Sequence, residues 1–175
     1  MHFQLKPHPE SPPDDREMTI EVWLDRWPDG RAELSYHLHA DTGRILLPSG
    51  PARGRADELW RTTCFELFLQ DTRGYREYNF APSGAWAAYA FDGYRSGLGA
   101  LEPEHHPQIG ADDLGDSLIV DVIIDLAGER RFGLSAVIEE VSGTKSYWAL
   151  AHPPGRPDFH HDACFAATLP PIEQP

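Results

Sequence analysis

Apolar and polar positions alternate with a period of two over much of this chain, as in strands with one buried face. From Met18 to Trp27, Ile20, Val22 and Leu24 fall on one face and Thr19, Glu21, Trp23 and Asp25 on the other. Residues 32–40 repeat the pattern, with Leu34, Tyr36 and Leu38 against Glu33, Ser35, His37 and His39. The Asp29-Gly30 pair between these segments predicts a hairpin connection. Strands are also predicted at Thr63–Gln70, Tyr75–Ser83 and Ala85–Tyr94, joined by the turns Asp71-Thr72-Arg73-Gly74 and Ser83-Gly84. In the first, Phe65, Leu67 and Leu69 share one face and Cys64, Glu66 and Phe68 the other; in the second, Glu77 and Asn79 lie opposite Tyr78 and Phe80. Further on, Leu118, Val120, Val122, Ile124 and Leu126 alternate with polar residues that include Asp121 and Asp125. Phe132–Val141, Ser146–Leu150 and Cys164–Leu169 complete a meander.

Roughly eight to ten short strands, with turn signals about every ten residues, predict an all-β fold. The expected architecture is an antiparallel β-sandwich of the jelly-roll or immunoglobulin-like kind. It would occupy one domain over 17–170, behind a loosely held extended lead-in at 1–16 and before a tail at 171–175. The Gly-, Pro- and charge-rich stretches 39–60 and 92–116 read as long loops.

Composition narrows the function. Apolar residues at 41% are enough for a core, which excludes wholesale disorder. Twenty-eight acidic residues against 15 basic ones give a net charge of −13. A nucleic-acid binder needs a cationic face, so this balance argues against nucleic acid and against anionic membranes. Neutral ligands such as sugars fit better, although the charge also serves solubility. No apolar run reaches the roughly 18 residues of a membrane span, and the N-terminus lacks the apolar core of a secretory signal. The expected location is cytoplasmic. Cys64 and Cys164 alone make no disulfide framework.

The chemistry concentrates between Leu59 and Arg95. With Phe65 and Leu67 turned to the core, Glu66 must face the other way, and the short turn brings it opposite Glu77 or Asn79. Carboxylates and amides bind hydroxyls, and aromatic rings stack on the C–H face of a pyranose. Trp60, Trp86 and Tyr94 are the nearby rings, and Arg61 and Arg95 the nearby guanidinium donors. Two readings stand side by side: a binding site, or a structural cluster in which Arg61 or Arg95 neutralises Glu66.

The same stretch resembles the signature of bacterial DOMON-like proteins, which are similar to type 9 carbohydrate-binding modules. An acidic strand at Glu66-Leu67-Phe68-Leu69 precedes a Y-x-E-x-N-x-x-P-x-G segment at Tyr75–Gly84, with Glu77, Asn79, Pro82 and Gly84 in register, and then an aromatic strand. The opening Leu5–Pro13 and the late Ser146–Phe165 are also similar to that group. The resemblance implies a β-sandwich whose relatives bind sugars or, in some branches, haem. Sugar-binding relatives hold the ligand between two exposed Trp rings, for which Trp60, Trp86 and Trp148 are the candidates here, with His152 as a further polar support.

His152, Asp158, His160, His161 and Asp162 form a second dense region of metal-ligand residue types without the spacing of an established metal motif. The competing accounts are hydrogen bonds that tie the loop to the sheet, and closure of the loop over the pocket beside Trp148. Nucleophile elbows, phosphate-cradling Gly loops and the H-E-x-x-H pattern are missing from the sequence. Glu66 and Glu77 could serve as an acid–base pair on a glycosidic bond, though nothing else points there. A Met/His haem site finds no suitable internal Met, and a bis-His site stays open. The primary expectation is therefore a non-catalytic module, without cofactor or metal, for a saccharide or saccharide-like small molecule. The alternatives are a metal-assisted hydrolase built on the 152–162 loop, and a structural or partner-binding sandwich.

Overall fold

The alternating segments become strands whose apolar faces meet in one core. The computed structural model describes residues 1–48, 53–126 and 130–169, so the tail expected at 171–175 lies outside the described residues. Along the chain run β1 (His2–Pro7), β2 (Thr19–Arg26), β3 (Arg31–His39), β4 (Gly54–Arg55), β5 (Cys64–Asp71), β6 (Gly74–Phe80) and β7 (Ala85–Phe91). They are followed by β8 (Gly99–Ala100), β9 (Gln108–Asp113), β10 (Ser117–Asp125), β11 (Arg131–Glu139), β12 (Lys145–Ala149) and β13 (Ala167–Thr168). Among the described residues, helix is confined to three short 3-10 turns at Thr42–Arg44, Leu59–Arg61 and Asp162–Cys164.

The strands form one curled sheet in the order β4-β7-β6-β5-β11-β12-β1-β2-β3-β10-β9, with β8 beside β7 and β13 beside β11. Most neighbours are antiparallel, but β4 runs parallel to β7, pairing Gly54 with Ala85 and Arg55 with Trp86. The sheet is therefore mixed, which corrects the expectation of a purely antiparallel one. A parallel pair needs a long connection, and β5 with β6 supplies it.

The curl brings residues from the two halves of this order into contact. On β3, the Tyr36 hydroxyl donates to the carbonyl of Glu66 on β5 at 2.9 Å, and its ring lies 5.1 Å from Phe65. Phe3 of β1 meets Phe132 of β11 edge-on at 5.6 Å. Ile20, Leu34 and Val122 from one half and Phe65, Leu67 and Trp148 from the other share a single core cluster. The six residues expected in the core on alternation alone (Phe65, Leu67, Leu69, Val120, Val122 and Ile124) are all buried.

Two expectations change. The lead-in contains β1, which lies between β2 and β12 and joins the halves of the sheet. Phe3 and Leu5 alternate with His2, Gln4 and Lys6, but two apolar positions before a run of prolines are too short a pattern to single out a strand. The loop expected at 92–116 contains β9, an edge strand with almost every residue exposed, held to β10 through its backbone. A strand that buries neither face has no periodicity to read.

Candidate functional site

The outer face of β5, β6, β7, β11 and β12 is also buried, and there the sequence places acids among rings. Cross-strand register fixes the arrangement. One rung runs Gly133–Phe68–Glu77–Tyr89, and the next runs Ala149–Ser135–Glu66–Asn79–Ala87. Glu66 and Glu77 are thus diagonal neighbours on adjacent strands. The small residues flanking them leave room above, and a second aromatic cluster that includes Phe68, Tyr75, Phe91 and Phe159 closes around that room.

The result is a cavity of about 760 Å³. Glu66 and Glu77 line it together with Trp60, Phe68, Tyr89, Phe91, Tyr147 and Phe159, and Arg95 and His160 stand at its edge. The segment that carries Phe159 and His160 is pinned on both sides. Asp158 accepts from the Tyr94 hydroxyl at 2.5 Å and from Arg95 Nη2 at 2.8 Å, while Arg131 reaches Asp162 and the Phe165 carbonyl. Gly133 lets this segment lie on the sheet, because a Cβ there would stand 2.6 Å from the Cys164 carbonyl oxygen. Gly133→Ala is expected to destabilise the fold by about 1–3 kcal/mol by lifting the segment. Urea unfolding checks this, and an unchanged midpoint would contradict the close packing.

The carboxyl groups are buried, with Glu66 2% and Glu77 6% exposed. Ser135 Oγ donates to Glu66 Oε2 at 2.9 Å, and Asn79 Nδ2 donates to Glu77 Oε1 at 2.8 Å. No described group hydrogen-bonds the other two oxygens. Glu77 Oε2 has His160 Nε2 at 3.8 Å, beyond hydrogen-bond length. Burial, reinforced by the charge of Glu77, raises the Glu66 carboxyl to about 8 against the opposing bond from Ser135. Burial also raises Glu77, opposed by Asn79 and Arg95. At neutral pH Glu66 therefore keeps its proton, and with Oε2 accepting from Ser135 that proton sits on Oε1.

His160 is neutral there, because burial and then the Arg95 charge lower it to about 4. The Arg95 backbone N–H donates to the Tyr75 hydroxyl at 3.2 Å, and that hydroxyl lies 2.7 Å from His160 Nδ1. With the Tyr75 hydroxyl donating to Nδ1, the imidazole proton sits on Nε2, on the side of Glu77. The cavity floor thus offers the protonated Glu66 Oε1 and the His160 Nε2–H as donors and Glu77 Oε2 as acceptor, walled by rings.

Of the ten site residues expected from sequence, Trp60, Glu66, Glu77 and Arg95 line the cavity, and Asn79 braces Glu77 from behind. Arg61 is turned outwards onto Glu58 at 2.6 Å, so it neutralises neither acid. Tyr94 is exposed and bound to Asp158. His152 lies 2.7 Å from the Lys6 carbonyl, outside the cavity. Trp86 and Trp148 are buried in the main core, each 2% exposed, so neither offers an open stacking face. Register explains both: Trp86 pairs with Phe80 and Trp148 with Ala136, and cross-strand partners share a face. Phe68, Tyr89, Phe91, Tyr147 and Phe159 were not anticipated. Tyr89 and Phe91 follow from the same register, being on the side of β7 opposite Trp86.

The residues of the metal alternative diverge. His152 goes to Lys6, Asp158 to Arg95 and Tyr94, and His160 to Tyr75, while His161 caps the turn at Ala163. Among the described residues, no group of three or more His, Cys, Asp or Glu side chains is placed to hold a metal ion.

No known family's sequence profile matches the chain. No curated protein matches it significantly in sequence. Solved structures do match. A family 9 carbohydrate-binding module from Caldicellulosiruptor kristjanssonii in complex with cellotriose superposes with a TM-score of 0.57 at 11% identity, covering 79% of this chain and 68% of that one. The glucose complex of a family 9 module from the same organism gives 0.56 at 12% identity, over 79% and 70% of the two chains. A candidate carbohydrate-binding protein from Bacteroides uniformis gives 0.65 at 12% identity, over 94% and 83%. The chain shares the fold of these modules.

Proposed function

We propose that this chain is a non-catalytic module that holds a saccharide or saccharide-like small molecule in the cavity above Glu66 and Glu77. The observation that carries the reading is the pair of open carboxyl oxygens on the floor of a ring-walled cavity. No described group takes up these two oxygens, so ligand hydroxyls can pair with both, accepting from protonated Glu66 and donating to Glu77. Rings on the walls suit the apolar faces of a pyranose, and about 760 Å³ suits one or two sugar units. The fold shared with modules solved in complex with glucose and cellotriose supports the reading. So does the DOMON-like motif, whose Glu66, Glu77 and Asn79 all fall at this floor. The same proposal takes the curled sheet as a two-layered sandwich, and the cytoplasm as its location.

Trp60 is the ring to test, since it is 46% exposed at the cavity and belongs to neither apolar cluster. Trp60→Ala is expected to weaken saccharide binding by about tenfold or more through loss of stacking, with the melting temperature of the free protein nearly unchanged. Calorimetric titration of both proteins against a panel of mono- and oligosaccharides checks this. If no saccharide binds the wild type, the reading is wrong.

A further inference from the structure

We propose that the ligand carries a protonated amine, so that the saccharide this cavity selects is an amino sugar with a free ammonium group. The inference deepens the saccharide reading and rests on it, and it starts from the charges that face the cavity. Asp57, Glu58, Glu66 and Glu77 are acidic, and among the described lining residues Arg95 is the one cationic side chain beside the neutral His160. Most of these charges are already matched. Asp57 lies 3.6 Å from Arg55 and accepts from the Tyr89 hydroxyl at 2.8 Å. Glu58 holds Arg61, and Arg95 holds Asp158 at 2.8 Å. Glu66 and Glu77 have no Lys or Arg within salt-bridge distance among the described residues, Arg95 acting on Glu77 only from farther away. Their open oxygens belong to side chains more than nine-tenths buried that line the cavity.

A neutral sugar would satisfy the hydrogen bonds of this floor but bring no counter-charge to its carboxyls. An ammonium satisfies both, since it brings three donors and a positive charge. Rings on the walls can add cation–π attraction, although Trp60 and Tyr89 already carry Arg61 at 5.4 Å and Arg55 at 5.7 Å and Phe91 stacks on Tyr75. His160 does not compete for the acids as a cation, being neutral with only Nε2–H turned towards Glu77. An arriving cation also changes the protonation of the floor. It favours the ionised carboxylates, so the proton held by Glu66 leaves as the ammonium binds.

The test uses four probes: glucosamine, N-acetylglucosamine, glucose and cyclohexylammonium. Together they separate charge from sugar hydroxyls on a six-membered ring. Titration calorimetry at about pH 6.5, in two buffers of different ionisation enthalpy, reads affinity and proton release together. Glucosamine is expected to bind at least about tenfold tighter than the two uncharged sugars and to release a proton. Glu77→Gln, which keeps an oxygen for Asn79 Nδ2, is expected to abolish the preference. If that variant misfolds, proton release by the wild type still decides. Equal affinity for glucose and glucosamine, without proton release, overturns the ammonium while the saccharide reading stands. Cyclohexylammonium binding as tightly as glucosamine supports the charge and overturns the saccharide reading. Binding of none of the four overturns both.

Discussion

Between about pH 6.5 and pH 8 the stability of the wild type relative to Glu66→Gln is expected to fall by about 2 kcal/mol. The folded carboxyl of Glu66 sits at about 8, well above the 4.5 of an exposed glutamate. The folded state therefore holds a proton that the unfolded chain has lost, and stability drains as pH rises from 4.5 through 8. His160 works the other way. With a folded value near 4 against 6.5, it adds stability as pH rises between those values. The two effects oppose each other below about 6.5, and above it Glu66 acts without that opposition. Glutamine keeps the shape and can still accept from Ser135, but it has no proton to lose. Melting curves of both proteins across this window check the sign. A constant difference between them would mean that Glu66 is ionised throughout and that its burial is overstated.

Leu67→Ala should cost about 2–5 kcal/mol. Leu67 is fully buried on β5, with Tyr78 opposite it on β6 and Leu134 on β11, all within the main core. Strands on both sides hold the backbone in place, so the cavity left by truncation has little means of collapsing. The other face of the strand makes this change informative about binding too. Glu66 and Phe68 are the neighbours of Leu67, and any shift of β5 to fill the hole tilts the floor of the cavity. Urea midpoints check the stability loss. A shift of less than about 0.5 kcal/mol would contradict the register of β5 described above.

Strands that bury one face and expose the other could be read directly, as β10 shows: Leu118, Val120, Val122 and Ile124 all reach the core. The floor of the site was legible for the same reason, since Glu66 between Phe65 and Leu67 has only one direction left. The walls were not legible from alternation within single strands. On β5 and β7 both faces are buried, so apolarity cannot say which ring belongs to the core and which to the cavity. Only pairing across the Ser83-Gly84 turn, which sets Trp86 against Phe80, separates Trp86 from Tyr89 and Phe91. The segment that brings Phe159 and His160 over the sheet depends on contacts between residues 64–95 and 131–165, and no local pattern encodes those.

Because β1 lies between β2 and β12, the sheet becomes continuous only when residues 2–7 meet residues 145–149. Lys6 pairs with Ala149 and Pro7 with Trp148, a closure across nearly the whole described chain. During synthesis the hairpin of β2 and β3 can form early, with β1 beside it, while the far edge of β1 waits for its partner. Contacts this distant in sequence slow folding, and an edge left unpaired in the meantime can pair with another chain. β1 is short and carries Lys6 and Pro7 at its end, both of which discourage such pairing. The strand that joins the two halves thus also limits misassembly while the second half is being made.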